Sequence, residues 1–179
     1  MSTSTSSEIG KDRHGFTLIE LLVVTGIIAI LIGLSFPVIG KMRERGRKAA
    51  CLSNLHQIGS LVLSYIGHNN DILPICQRIG DSPADPLGPQ NVLANETERK
   101  IFKCPSDSGE DSCFQKYGSS YEWNPWLNAK KIDRSNLSVL GVEIQLPLLG
   151  DACDFHKGSG RNYLYSDGQV SQSLEVKIK

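Results

Sequence analysis

Phe16–Ile39 reads FTLIELLVVTGIIAILIGLSFPVI, and Glu20 is its only charged residue. At ~1.5 Å rise per residue, a helix of these 24 residues is roughly 36 Å long, enough to cross a hydrocarbon core of ~30 Å. A soluble core helix keeps a polar stripe. This stretch has none, so residues 16–40 are read as a membrane segment. The rest of the chain is ordinary by comparison. Its 179 residues carry 19 Lys+Arg against 19 Asp+Glu, with 40% hydrophobic residues and 21% charged. That balance excludes a disordered chain and gives no electrostatic case for nucleic acid as a partner.

A secretory signal peptide has an apolar core of ~7–15 residues followed by a small-residue cleavage site. Here the apolar run is longer and continues as KMRERGRKAA (41–50), with no such site. A plain membrane anchor fits better but leaves two features over. The polar leader, residues 1–15, ends in Gly15, and an acid sits at Glu20 inside the apolar run. A carboxylate in a membrane helix costs up to ~2.5–3.5 kcal/mol, less near the interface. It needs a partner or a role, and the helix dipole favours it in the first turn.

The junction His14-Gly15-Phe16-Thr17-Leu18-Ile19-Glu20 closely resembles the processing site of type IV prepilins and type II secretion pseudopilins. The resemblance implies that a prepilin peptidase cuts after Gly15 and methylates the new N-terminal Phe16. It also implies that Glu20 pairs with the cationic Phe16 amine of its own or a neighbouring subunit, setting the axial register of a filament. Pro37 stands where many pilins carry a helix-bending proline. His14 departs from the usual Lys or Arg before the glycine, although Lys11 and Arg13 keep the leader basic. Gly26, Gly33 and Gly40 recur every seven residues, a loose stripe along which helices can approach closely. One pattern opposes the pilin topology. Lys41, Arg43, Arg45, Arg47 and Lys48 follow the span against Lys11 and Arg13 before it, and the positive-inside rule places such a cluster in the cytoplasm. The cleavage motif overrides that charge count.

Helical periodicity continues past the span. Leu52, Leu55, Ile58, Val62 and Tyr65 recur at three- and four-residue spacings, and Gly67–Asn70 supplies a stop. Residues 41–67 are therefore expected to extend the helix amphipathically, with Arg43, Arg47, Asn54 and Gln57 on its solvated face. Residues 68–179 are expected to form a β-rich exported domain. Within it, Asp81–Gln90 is expected as loop because of its three prolines. Ser138–Leu146 is expected as a strand. Asn162–Tyr165 and Gln169–Ile178 are expected to form a hairpin across Ser166-Asp167-Gly168. The fold class is α+β, pilin-like: a long N-terminal helix, its first half transmembrane, packed on a small antiparallel sheet domain. RKAACLSNLHQIG (47–59), FKCPSD (102–107), SSYEWN (119–124) and YLYSDGQV (163–170) resemble the large pilin-like families of planctomycete- and verrucomicrobia-type bacteria. Those families often end in a histidine, about nine residues, then Asp-Gly. Here His156 precedes Asp167-Gly168.

The five cysteines are Cys51, Cys76, Cys104, Cys113 and Cys153. An exported domain permits disulfides, and an odd count leaves one thiol over. Cys104 is expected to bond either Cys51, pinning the helix to the sheet domain, or the nearby Cys113. No Cys-x-x-Cys or His-x-x-x-His spacing points to zinc. Asp151, Asp154 and Asp167, with His156 among them, are the weak candidates for calcium; the bland alternative is solvated loop acids, with Asp167 serving its turn. Cys153 and His156 lack any orienting group that would mark a catalytic pair, and no enzyme or cofactor is expected. Tyr117, Tyr121, Trp123 and Trp126 are read first as core and second as a sugar- or peptide-binding surface.

Together these readings lead to an inner-membrane, single-pass, pilin-like or pseudopilin subunit with its C-terminal domain periplasmic or extracellular. The partners implied are a prepilin peptidase and other pilin or pseudopilin subunits. The alternative is a membrane-anchored exported binding module that never polymerises.

Overall fold

A computed structural model describes residues 16–132, 136–139, 142–156 and 160–172; the side chains of 37–38, 136–139 and 142–144 lie outside that description. The chain divides into two compact units, Met1–Lys41 and Met42–Lys179.

Helix α1 runs Leu18–His68 and is long and apolar enough to cross a membrane. Its first part shows why no soluble core can be assigned to it. From Leu18 at 82% to Ile39 at 45%, the large apolar side chains stand exposed around the helix. The helix ends through a left-handed cap. Asn70 takes φ 54°, and the Asp71 N–H donates to the Ile66 carbonyl at 3.0 Å, the 6→1 bond of a Schellman-type ending. Asn69 Nδ2 donates to the Tyr65 carbonyl at 2.8 Å, satisfying another terminal acceptor.

In the second unit, α1 buries Cys51, Leu55, Ile58, Val62 and Ile66. This stripe is rotated slightly from the periodicity seen in the sequence, and it leaves Leu52 and Tyr65 half-buried at its edges. Each fully buried aliphatic side chain contributes roughly 1.5–3 kcal/mol. The stripe meets a four-stranded antiparallel sheet of order β1 (Tyr121–Trp123), β4 (Pro147–Asp151), β5 (Tyr163–Tyr165) and β6 (Val170–Ser171). The fold is α+β, with Phe102, Tyr121, Trp123, Leu127, Leu149 and Leu164 completing the core. A Cβ placed on Gly59 would lie 3.2 Å from Leu164 Cδ1, which shows how closely helix and strand approach.

Two local expectations need correction. Ser138–Leu146 is two strands, not one: β2 (Asn136–Val139) and β3 (Val142–Gln145) pair antiparallel as a separate ladder, Val139 opposite Val142. Asp81–Gln90 is loop only as far as Gly88, because Pro89 opens the short helix α2 (Pro89–Leu93). Proline at a first helical position has its φ preset and needs no N–H partner. The Asp-Gly hairpin forms with Leu164 opposite Val170. Gly168 supplies φ 77°, its N–H donates to the Tyr165 carbonyl at 3.0 Å, and Asp167 Oδ1 accepts from the Gln169 N–H at 3.0 Å. This is a three-residue loop with the glycine in the left-handed position. Leu174, Val176 and Ile178, which continue the second strand in the sequence reading, lie outside the described residues.

Candidate functional site

The start of α1 is a capping box. Glu20 Oε2 accepts from the Thr17 main-chain N–H at 2.8 Å and from the Thr17 hydroxyl at 2.7 Å. Thr17 Oγ1 in turn accepts from the Glu20 N–H at 3.3 Å. The reciprocal pair satisfies donors that a helix N-terminus leaves open. It also gives the Glu20 carboxylate hydrogen bonds within its own chain. Any cation that pairs with it must share or displace them. The Phe16 side chain beside it is 80% exposed. Gly15 lies outside the described residues, as does the side chain of Pro37, through which the helix nevertheless runs.

The deciding observation is the match to this segment. Residues 10–36 match the family described as "Prokaryotic N-terminal methylation motif". The chain carries a prepilin-type N-terminal methylation motif. The match brackets Gly15, Phe16 and Glu20 and ends one residue before Pro37. No curated protein and no solved structure matches the chain, and the histidine-to-Asp-Gly resemblance of the C-terminal part gains no support from the match.

The second unit holds a buried polar centre built around a disulfide. Cys51 on α1 and Cys104 are bonded, and both are fully buried. His156, 1% exposed, directs Nε2 toward Cys104 Sγ at 3.7 Å. Its Nδ1 meets Glu44 Oε1 at 3.0 Å, and that same oxygen accepts from Ser106 Oγ at 2.9 Å. The hydrogen bond from His156 is the largest reason that the Glu44 carboxyl is held below its ordinary range, with Ser106 and Arg47 acting the same way. Among the described residues, Cys51, Cys104 and His156 are also the one set of three ligand-bearing groups close enough for a metal ion. The disulfide uses both of their sulfurs.

Two buried acids complete this region. Asp107 accepts from the Cys113 N–H at 3.1 Å, the Phe114 N–H at 2.8 Å and the Ser120 hydroxyl at 2.6 Å. It thereby organises the start of α3 (Cys113–Tyr117) and ties that helix to the approach to β1. Asp151 accepts from the Asn162 N–H at 2.8 Å and from Asn162 Nδ2 at 2.7 Å. Burial pushes its carboxyl up to about 6 despite those bonds and the nearby His156 and Arg161.

The acidic candidates for calcium are not gathered into one ligand set. Asp151 is fully buried against Asn162, Asp154 is exposed, and Asp167 serves the β5–β6 turn. Cys113 is not bonded to Cys104; its sulfur lies 3.2 Å from that of Cys153. The aromatic cluster divides. Tyr121 and Trp123 are core, whereas Trp126 is 76% exposed beside an open groove of about 470 Å³. Arg78, Glu122, Arg161 and Tyr163 line that groove, with Glu122 held by Arg78 Nε at 2.7 Å and by Arg161 Nη1 at 3.3 Å.

Sequence reading assigned no role to Glu44, Ser106 or Asp107. Glu44 stands 112 positions from its histidine partner, and no periodicity spans such a distance. Its one visible signal was being a single acid inside the basic run KMRERGRK (41–48).

Proposed function

We propose that the chain is a type IV pilin-like or pseudopilin subunit. It is cut after Gly15 and N-methylated on Phe16 by a prepilin peptidase, held in the inner membrane by the first part of α1, and assembled with other such subunits. The observation that carries this reading is the methylation motif at residues 10–36, which takes in the start of a helix long and apolar enough to cross a membrane. The role is mechanical. Helices pack along the filament core, and Glu20 exchanges its Thr17 bonds for a subunit's Phe16 amine as the register is set. The Cys51–Cys104 disulfide supports an exported domain, since such bonds persist in oxidising compartments. It weighs against the orientation that the basic cluster after the span would favour.

The test is the intact mass and N-terminal residue of the membrane-extracted chain, expressed with and without a prepilin peptidase. The expected product begins at N-methylated Phe16 only when the peptidase is present. Retention of residues 1–15 under both conditions would sink the proposal. Glu20→Ala then separates assembly from anchoring: the variant is expected to remain membrane-bound and processed but to leave the filament fraction. The groove beside Trp126 favours a second reading, an anchored module that binds a ligand without polymerising. Wild-type-like behaviour of Glu20→Ala would favour that module.

A further inference from the structure

Cys113 and Cys153 stand outside the disulfide already described, and their surroundings differ. Cys113 opens α3 and is buried, while Cys153 lies exposed on the loop after β4. Their sulfurs are 3.2 Å apart, so about 1.2 Å of further approach reaches the ~2.05 Å of a disulfide. We propose that Cys113 and Cys153 are the second disulfide of the exported domain, introduced by a disulfide-bearing thiol oxidant that enters through Cys153, with Cys76 as the thiol left over.

Three observations converge on this pairing. The sulfurs already touch, although they are 40 positions apart in the chain. Cys76, the remaining cysteine, is buried beneath Asn128, which receives the Cys76 N–H and donates to its carbonyl. The loop that Cys153 would fasten also carries His156, whose ring rests against Cys104 and Glu44. A bond at Cys153 therefore tethers, three residues away, the side chain covering the first disulfide.

The chemistry balances with an external disulfide as oxidant. The Cys153 thiolate attacks one oxidant sulfur; the oxidant's S–S bond breaks, and its second sulfur leaves as a thiolate that takes up a proton. Cys113 then gives up its proton and attacks Cys153 Sγ, breaking the mixed disulfide and releasing the oxidant as a dithiol. Two electrons and two protons pass from the protein to the oxidant. Exposure sets this order, because the thiolate is the attacking species and must be reached. Burial pushes the Cys113 thiol up to about 12 in the reduced protein, so it stays protonated and leaves the first attack to Cys153; the second step rests on the 3.2 Å proximity of the two sulfurs.

The pairing in cells rests on the exported location proposed above, so the experiment has two arms. In the first, full-length chain is extracted in detergent, reduced, and reoxidised with oxidised glutathione, then mapped by non-reducing peptide mass spectrometry. A Cys113–Cys153 cross-linked peptide is expected alongside Cys51–Cys104. Cys113→Ser is expected to retain a glutathione adduct on Cys153, while Cys153→Ser leaves Cys113 unmodified. Failure of the cross-link to form, or a cross-link from either cysteine to Cys76 instead, overturns the proposal whatever the compartment.

In the second arm, cells are acid-quenched and denatured in the presence of one alkylating label, so that buried thiols are reached, and the extracted chain is then reduced and given another. The first label is expected on Cys76 alone. First label on Cys113 and Cys153 with Cys51 and Cys104 protected would overturn the second disulfide while leaving export intact. First label on all five cysteines would instead overturn the exported location.

Discussion

Replacing Cys51 and Cys104 together by alanine removes a bond that joins positions 53 apart in the chain. Closing a loop of that length restricts the unfolded chain by about 4 kcal/mol in the chain-entropy description. Total stabilities are typically only ~5–15 kcal/mol, so the loss is a large share of what holds the second unit together. The native contacts change little by comparison, because both cysteines lie in the buried core with His156 Nε2 beside Cys104 Sγ, and alanine leaves a small void. Trp123 reports the outcome directly: it is 1% exposed, its Nε1 donates to Asn128 Oδ1 at 2.7 Å, and unfolding moves it into water. With a urea dependence of about 1.5–2 kcal/mol per molar, the midpoint for the detergent-extracted double variant is expected to fall by ~2–3 M. Reduction of the wild-type chain is expected to lower the midpoint at least as far, because it opens Cys51–Cys104 together with any bond between Cys113 and Cys153. A shift below about 0.5 M for the double variant would mean that the crosslink restrains nothing and would refute the reasoning.

Three further outcomes follow from single sites. The Asp151 carboxyl rises from 3.8 to about 6 in the folded chain, so the native state binds more protons than the unfolded chain between those values. Its contribution to stability is full below about pH 4 and is lost as pH rises through about 6, a change of ~3 kcal/mol. Asp151→Asn is expected to flatten that part of the profile, measured by Trp123 fluorescence across pH 4–7, and an unchanged slope would count against it. Gly150→Ala places a Cβ 2.6 Å from Tyr163 Cδ1 and 2.9 Å from Cε1, so overpacking of the β4–β5 pair is expected to cost about 1–3 kcal/mol in the same denaturation assay. Asp107→Ala orphans the Cys113 and Phe114 N–H groups and the Ser120 hydroxyl. It is expected to cost at least ~2 kcal/mol and to speed amide exchange across 113–117; exchange as slow as wild type would show that water replaces the carboxylate without loss.

The parts of this protein that sequence alone determined are those coded over a few neighbouring residues. A helix long and apolar enough to cross a membrane follows from a composition that Glu20 alone interrupts with charge. The Thr17–Glu20 spacing places side chain and main chain within reach across one helical turn, and residues 10–36 match the methylation motif around it. The Asp167-Gly168 hairpin follows from a backbone conformation that glycine adopts without cost. Local pattern is ambiguous where two patterns overlap: the apolar run 138–146 spans two paired strands, and the buried stripe on α1 takes in Cys51 and Ile66 in place of Leu52 and Tyr65.

Tertiary structure alone decided which cysteine meets which, and which acid meets His156. Cys104 had two partners open to it, and the fold joined it to Cys51 while bringing Cys113 to Cys153. Glu44, Ser106 and His156 converge on that disulfide from three separate segments. Residue types and spacings carry no record of such meetings, because they are set by how helix α1 and the sheet bury their apolar faces against each other. Once that burial fixes the backbone, the polar groups carried inside must find partners among whatever arrives beside them.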